Sequence, residues 1–134
     1  MDAATERLVR QRSKETCEYC RIPQEYDDLP FQIDHIIARK HGGSSKSDNL
    51  ALACFPCNNS KGPNIAGLDP DDGQITRLFH PRTDEWNEHF AWNGPELVGR
   101  TSVGRATIAV LGINRQFRVV LRQALINEGV FPPM

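Results

Sequence analysis

Four cysteines form two Cys-x-x-Cys pairs, and the segment between the pairs contains groups suited to hydrolytic chemistry. The pairs are Cys17-Glu-Tyr-Cys20 and Cys54-Phe-Pro-Cys57. Two such pairs about thirty residues apart can supply four thiolates to one tetrahedral Zn²⁺ ion. We therefore expect one structural zinc per chain, which ties the ends of the intervening segment together. The alternative is two redox-active or incidental cysteine pairs.

The intervening segment contains adjacent Asp34 and His35, with Asn49 further on and Asn58 directly after the last cysteine. Hydrolysis of a phosphodiester requires an activated water, neutralisation of the phosphate charge and help for the leaving oxygen. His35 is the candidate general base. The carbonyl of Asn49 would accept a hydrogen bond from the other ring nitrogen and orient the ring. Asp34 and Asn58 offer the oxygen ligands that Mg²⁺ or Mn²⁺ prefers.

Each of these residues also has a purely structural interpretation. His35 next to an acid could form a surface ion pair, and Asp34 could cap a strand end. Asn49 follows an aspartate, which is favourable turn chemistry, and Asn58 could cap the helix after the second cysteine pair. The matching spacing of the metal frame and the polar residues favours the catalytic interpretation.

The composition excludes little but is compatible with one small domain or a metal-stapled module with an extension. The chain has 134 residues, of which 39% are hydrophobic and 25% charged, with a formal net charge of −1. A near-neutral total argues neither for nor against nucleic acid as a partner. No stretch has the length of a membrane span, and the first residues lack the apolar run of a signal peptide. We expect a cytoplasmic protein, where reduced thiols favour metal over disulfides.

The pattern of residues predicts a strand, a loop and a strand between the cysteine pairs, with a helix before the first pair and another after the second. The predicted elements are a helix at 5–14 with solvated arginines, a strand at 31–34, a loop at 41–48, a strand at 50–53 and a helix at 58–61.

The turn signal Asp69-Pro70-Asp71-Asp72-Gly73 marks the expected seam of the chain. It divides the chain into a module at 1–67 and an extension at 68–134, packed on the module. The extension is expected to contain short strands at 75–79, 86–92 and 97–98, then helices at 102–111 and 114–128. The fold class is therefore α+β. Trp86, Phe90 and Trp92 are expected to form a small core.

The last predicted helix has an apolar face and an opposite arginine face. Phe117, Leu121 and Leu125 lie on the first face. Arg115, Arg118 and Arg122 lie on the second, where they could bind phosphates of a nucleic acid or be solvated.

The order of the motifs in residues 5–65 resembles the HNH nuclease family, which is named for a His-Asn-His series in a ββα-metal (His-Me finger) fold. The motifs are Cys17-x-x-Cys20, Asp34-His35-Ile36, Gly42-Gly43, Asn49-Leu50 and Cys54-x-x-Cys57-Asn58-x-x-Lys61. Asn58 stands where the name has its last histidine, and asparagine there is a known variant among phage junction resolvases. The resemblance implies an endonuclease that uses Mg²⁺ or Mn²⁺, acts on DNA and leaves a 5′-phosphate and a 3′-hydroxyl.

Two other functions remain open at this point. One is a zinc-dependent nucleic-acid-binding module without cleavage, and the other is a nuclease that acts on RNA or branched DNA. Lys61 could contact phosphate or be a solvated helix residue. His41 is expected on a mobile loop, and His80 and His89 lie outside the motif and are not expected to be ligands. The sequence does not specify the oligomeric state.

Overall fold

The computed structural model describes residues 1–133 of the chain. Its helices and strands are α1 (Ala3–Arg12), β1 (Gln32–His35), β2 (Leu50–Ala53), α2 (Phe55–Lys61), β3 (Ala66–Leu68), β4 (Ile75–Arg77), α3 (Trp86–His89), β5 (Phe90–Asn93), β6 (Glu96–Gly99), α4 (Ser102–Leu111) and α5 (Gln116–Asn127). The strands form three two-stranded antiparallel sheets. The predicted α+β class is confirmed. Among residues 1–133, no helix is long and apolar enough to cross a membrane.

Strands β1 and β2 and helix α2 form the ββα unit that the sequence predicts. Gln32 lies opposite Ala53 and His35 opposite Leu50 in the hairpin. All four residues of β2 are buried, because the strand runs through the core. Helix α2 begins three residues earlier than predicted. Pro56 lies in its first turn, where a proline sacrifices no hydrogen bond and its fixed φ suits the helix.

Helix α1 is fastened to the hairpin through its arginines. Asp2 caps the helix by accepting a hydrogen bond from Thr5 N. Arg12 donates to the carbonyl oxygens of Ser47 and Leu50, and Arg10 donates to the carbonyl of Phe31. The expectation that these arginines point into solvent is therefore wrong for Arg10 and Arg12. Buried backbone carbonyls need hydrogen-bond donors, and the two guanidinium groups provide them for the three carbonyls named above.

The turn at 69–73 joins β3 to β4, and the hairpin so formed packs against α4. A β-carbon at Gly67 would lie 2.3 Å from Cγ2 of Val110, so glycine is what allows β3 to approach the helix. Helix α4 also contacts α2 and β6. The boundary at residue 67 falls inside β3, and the division into two units stays a prediction.

The aromatic residues of the second half form a core, as predicted. The ring centroids of Trp86 and Phe90 are 5.1 Å apart, and those of Trp86 and Trp92 are 6.0 Å apart. Trp86 Nε1 also donates to the carbonyl of Tyr19 at 2.9 Å, which connects this core to the first cysteine pair. The predicted strand at 86–92 is instead the short helix α3 followed by β5, which pairs with β6 around Gly94.

Candidate functional site

The four cysteines come together in one buried cluster. The Sγ atoms of Cys17, Cys20, Cys54 and Cys57 all lie within 4.8 Å of one another, and none forms a disulfide. Cys20 Sγ and Cys54 Sγ are 3.7 Å apart. Four sulfur atoms at the usual zinc–sulfur distance of about 2.3 Å from a tetrahedral ion are about 3.8 Å apart. The cysteines are thus positioned to bind a metal, and the donor set and spacing fit zinc.

Helix α5 directs Arg118 towards this cluster and buries Arg122, whereas Phe117 and Leu121 are exposed and Leu125 of the apolar face is buried. Arg118 Nη2 donates to Cys57 Sγ at 2.8 Å, and Arg122 donates to the carbonyls of Pro95 and Ile113. The two arginines are only 5% and 2% exposed, whereas Phe117 is 61% exposed. The prediction that Arg118 and Arg122 bind phosphate is therefore wrong. A cluster of thiolates carries excess negative charge, which favours buried guanidinium groups beside it.

Arg115 precedes the first turn of α5 and is exposed. Its predicted contact with nucleic acid stays a prediction.

His35, Asp34 and Asn58 line one open pocket of about 360 Å³. The end of β1 provides the first two residues, and the middle of α2 provides the third. Because β1 ends at His35, the backbone turns there and both neighbouring side chains reach the pocket. Arg39 also lines the pocket, so a cation is available beside these groups.

Asp34 is held at the base of this pocket by two donors. It is 4% exposed; Tyr19 Oη donates to Oδ2 at 2.7 Å, and Lys61 Nζ lies 3.2 Å from Oδ1. Burial raises the pKa of Asp34 above its ordinary value, although the charge of Lys61 and the hydrogen bond from Tyr19 act in the opposite direction.

Lys61 is 1% exposed, which contradicts its predicted contact with phosphate. Besides pairing with Asp34, its ammonium donates to the carbonyls of His35 and Ile36 at 3.2 and 3.0 Å. These bonds occupy the ammonium group under the pocket and hold the end of β1 against α2. Lys61 is therefore a structural residue at this site.

The ring of His35 contacts Ser45, not Asn49. Nε2 of His35 is 2.9 Å from Ser45 Oγ. The amide of Asn49 is used by the backbone, because it accepts from Ile37 N at 2.9 Å and donates to the carbonyls of Ile37 and Ser44. The predicted hydrogen bond from the ring to Asn49 is thus wrong in this structure. Asn49 instead closes the loop that contains Ser45.

The comparison with known families agrees with this geometry. A family model described as HNH endonuclease matches residues 17–64, the segment that contains the cysteine cluster and the pocket. Over these residues the chain is similar to HNH endonucleases. The Septu protein PtuB of Bacillus thuringiensis is 23% identical to the chain over 119 residues. The aligned region covers 87% of this chain and 44% of that protein, so the chain spans less than half the length of this relative. No solved structure matches the chain significantly.

The oxygen donors of the HNH pocket fit a divalent cation. Oδ2 of Asp34 contacts both Tyr19 Oη and Lys61 Nζ, whereas Oδ1 has the single partner Lys61 Nζ and so retains a lone pair. Asn58 donates from Nδ2 to Gln32 Oε1, and its Oδ1 accepts no hydrogen bond from residues 1–133. Carboxylate and amide oxygens on one pocket wall are suitable ligands for Mg²⁺ or Mn²⁺.

Two residues of the HNH site were not identified from the sequence. Tyr19 lies inside the first cysteine pair, where nothing in the sequence relates it to Asp34. Ser45 lies in a Gly- and Ser-rich loop with several equivalent hydroxyls. The only available signal was the position of the loop between the two strands, which does not indicate which serine faces the histidine.

Proposed function

We propose that the chain is a metal-dependent endonuclease that hydrolyses phosphodiester bonds in DNA. The observation that supports this most is the shared open pocket of His35, Asp34 and Asn58, within the segment that matches the HNH endonuclease family. A module that only bound nucleic acid would have no need of a base, a carboxylate and an amide converging on one pocket. The open shape of the pocket allows a phosphate on a polymer to enter.

His35 is the general base in this proposal. If Nε2–H donates to Ser45 Oγ, Nδ1 is the unprotonated nitrogen and can take a proton from the attacking water. The contact also fixes the direction of the ring, so the base does not need to be oriented during the reaction.

Asp34 and Asn58 hold the catalytic Mg²⁺ or Mn²⁺. When bound there, such a cation neutralises charge on the scissile phosphate and on the leaving 3′ oxygen. Tyr19 and Lys61 keep the Asp34 carboxylate directed towards the pocket, because Tyr19 holds Oδ2 and Lys61 contacts both oxygens. The expected products are a 5′-phosphate and a 3′-hydroxyl.

Zn²⁺ is the proposed occupant of the cysteine cluster, with a structural role. All four thiolates are used and buried, so no position is left open for water or substrate. The ion would fix the start of α2 and the first cysteine pair relative to the hairpin, and these elements carry Asn58 and Tyr19.

A cleavage assay on supercoiled, linear and branched DNA and on RNA, with Mg²⁺, Mn²⁺ or neither, tests the function. We expect metal-dependent cleavage of DNA, and we expect His35→Ala to reduce it by roughly 10²–10⁴-fold, as for loss of a general base. His41→Ala is the matched control, because His41 is exposed on the neighbouring loop. Cleavage of RNA or branched DNA alone would identify a different substrate.

If His35→Ala and His41→Ala both cut at the wild-type rate, His35 is not the base. Binding without any cleavage across all substrates and metals would favour the non-catalytic module instead.

A further inference from the structure

A second cavity lies away from the HNH pocket and shares no lining residue with it. Its volume is about 450 Å³, within the range of small-molecule sites. It lies between the end of α1, the first cysteine pair and the aromatic core. Its lining includes Arg12, Lys14, Glu18, Arg21, Trp86 and Trp92.

The charge lining this cavity is strongly positive. Arg12, Lys14 and Arg21 face it, and Glu18 is the one acidic side chain among the lining residues. Glu18 is already neutralised, because it forms an ion pair with Arg82 and accepts a hydrogen bond from Leu52 N. The three cations therefore have no carboxylate available to them within the cavity.

Arg21 is the most informative of these cations. Its guanidinium group lies 5.0 Å from the centroid of the Trp86 ring and donates no hydrogen bond to residues 1–133. The contact with the ring holds the guanidinium group at the cavity wall. A fixed, partly buried guanidinium with unused donors is suited to the bidentate recognition of a phosphate.

The backbone supports the same interpretation. Lys14, Glu15 and Arg21 have positive φ angles of 55°, 55° and 68°, which residues with a β-carbon rarely adopt, and Lys14 and Arg21 line the cavity. Such conformations are concentrated at ligand-binding sites, where the surrounding structure maintains them. Here they occur at two of the three cations that line the cavity.

We infer that this cavity binds a nucleotide, with its phosphate on Arg21, Arg12 and Lys14 and its sugar and base along the apolar walls of the cavity. Arg12 also donates to the carbonyls of Ser47 and Leu50, at the base of the loop that contains Ser45. A bound nucleotide would thus contact the same arginine that supports the catalytic hairpin. Its source is either a free nucleotide or a nucleotide within a nucleic-acid strand.

Fluorescence titration of the full chain tests this inference, because both tryptophans of the protein line the cavity. The probes are inorganic phosphate, adenosine 5′-monophosphate and a short single-stranded oligodeoxynucleotide, each added to the His35→Ala protein without Mg²⁺ or Mn²⁺ so that cleavage is suppressed. We expect a saturable change with the nucleotide or the oligonucleotide and weaker binding of phosphate. The result does not depend on whether the HNH pocket is catalytic.

Asparagine is the informative replacement, because it tolerates positive φ while removing the charge. Arg21→Asn should weaken binding roughly 10-fold or more, as for loss of a charged hydrogen bond. Lys14→Asn should weaken it roughly two- to fivefold, as for an exposed ion pair. Arg7→Gln is the control, because it removes an exposed arginine of α1 that does not line the cavity.

If adenosine monophosphate binds and its binding depends on Arg21, a free nucleotide is sufficient as the ligand. If only the oligonucleotide binds, the ligand is a nucleotide within a nucleic-acid strand. If Arg21→Asn does not fold, Lys14→Asn decides by the same comparison. The inference is wrong if no probe gives a saturable change, if phosphate binds as tightly as the nucleotide, or if the variants bind like wild type.

Discussion

Arg118 donates a hydrogen bond from Nη2 to Sγ of Cys57 across 2.8 Å, although the two residues are 61 positions apart. The same guanidinium group donates from Nη1 to the carbonyl of Leu111, at the end of α4. One side chain therefore joins the last two helices to the cysteine cluster. The stability of the module should consequently depend on a residue outside the segment that matches the family.

Replacement of Arg118 by Met should lower the free energy of unfolding by about 3–5 kcal/mol, as for removal of one partner from a buried charged pair. The variant leaves the cysteine cluster without its cation and the Leu111 carbonyl without its donor. Urea unfolding measures the change. Arg115→Met is the control, since this arginine is exposed and a surface change usually stays within about 0.5 kcal/mol. Equal stabilities of the two variants would contradict the assigned role of Arg118.

Purified protein should contain close to one zinc per chain, measured by elemental analysis. Cys17→Ser should lose the metal and unfold the module, because burial of a small hairpin and a short helix does not compensate for a missing metal. Circular dichroism with and without a chelator provides the second measurement. A folded, cleavage-competent Cys17→Ser protein without zinc would refute this role.

Lys61→Met should destabilise the protein without changing how salt affects DNA binding. Removing the ammonium leaves the buried Asp34 without its ion partner, a loss of about 3–5 kcal/mol near neutral pH. A phosphate contact would instead make the slope of log K against log salt shallower by about one. Lys46→Met, at an exposed lysine of the neighbouring loop, is the control for both measurements.

The stability of the Lys61→Met variant should also depend on pH through Asp34. Burial raises the pKa of Asp34 in the folded state. The folded protein is therefore more stable when Asp34 is protonated than when it is ionised. This contribution is fully present below the unfolded pKa of about 3.9 and is lost as pH rises through the folded pKa. The difference from wild type should therefore narrow on acidification, and a difference that widened would contradict the assignment.

The ββα unit could be predicted from the sequence because its determinants are local. The alternating residues before His35, the Gly-Gly loop and the cysteine spacing each specify a short element or a metal ligand. The orientation of α5 could not be predicted in the same way. Its pattern distinguishes an arginine face from an apolar face, and the usual hydrophobic rule places the apolar face inward. At Arg118 the opposite occurs, because the guanidinium group points inward to the thiolates of a distant segment. The periodicity of one helix contains no information about that segment.

The contacts of Asn49 illustrate the same limit at the site itself. Its type and spacing predicted that it lies near His35, but not which groups its amide would bond. Three backbone groups of the loop take up the amide, because buried N–H and C=O groups must be paired. Ser45, and not Asn49, therefore contacts the ring of His35.

Ser45→Ala should reduce the cleavage rate at saturating DNA by roughly fivefold, which corresponds to one hydrogen bond of about 1 kcal/mol. The effect should appear in kcat more than in KM, because the hydroxyl orients His35 and does not bind substrate. Ser45→Thr keeps the hydroxyl and should restore most of the rate. Ser44→Ala is the matched control on the same loop. A Ser45→Ala enzyme with wild-type kcat would show that the contact does not position the base.

Asp69 fastens the β3–β4 turn to α4. Its side chain has no solvent exposure and accepts hydrogen bonds from Arg105, with Nη2 at 2.8 Å from Oδ2. The hydrogen bond from Arg105 is the main cause that lowers the pKa of Asp69. A carboxylate with a lowered pKa stabilises the folded state above its unfolded pKa of about 3.9, and loses this contribution as pH falls through the lower folded value.

Asp69→Asn should therefore lower the melting temperature at pH 7, and the difference from wild type should shrink below about pH 4. Asparagine keeps an oxygen that can accept from Asp71 N, so the turn itself is preserved and the missing charge is what is measured. Asp28→Asn, an exposed acid outside the hairpin, should leave the melting temperature nearly unchanged at every pH. If the melting temperature of Asp69→Asn stayed equally far below that of wild type in acid, the charge of Asp69 would not be the stabilising feature. The contact with Arg105 would then stabilise the fold through packing, because protonation of Asp69 would cause no loss of stability.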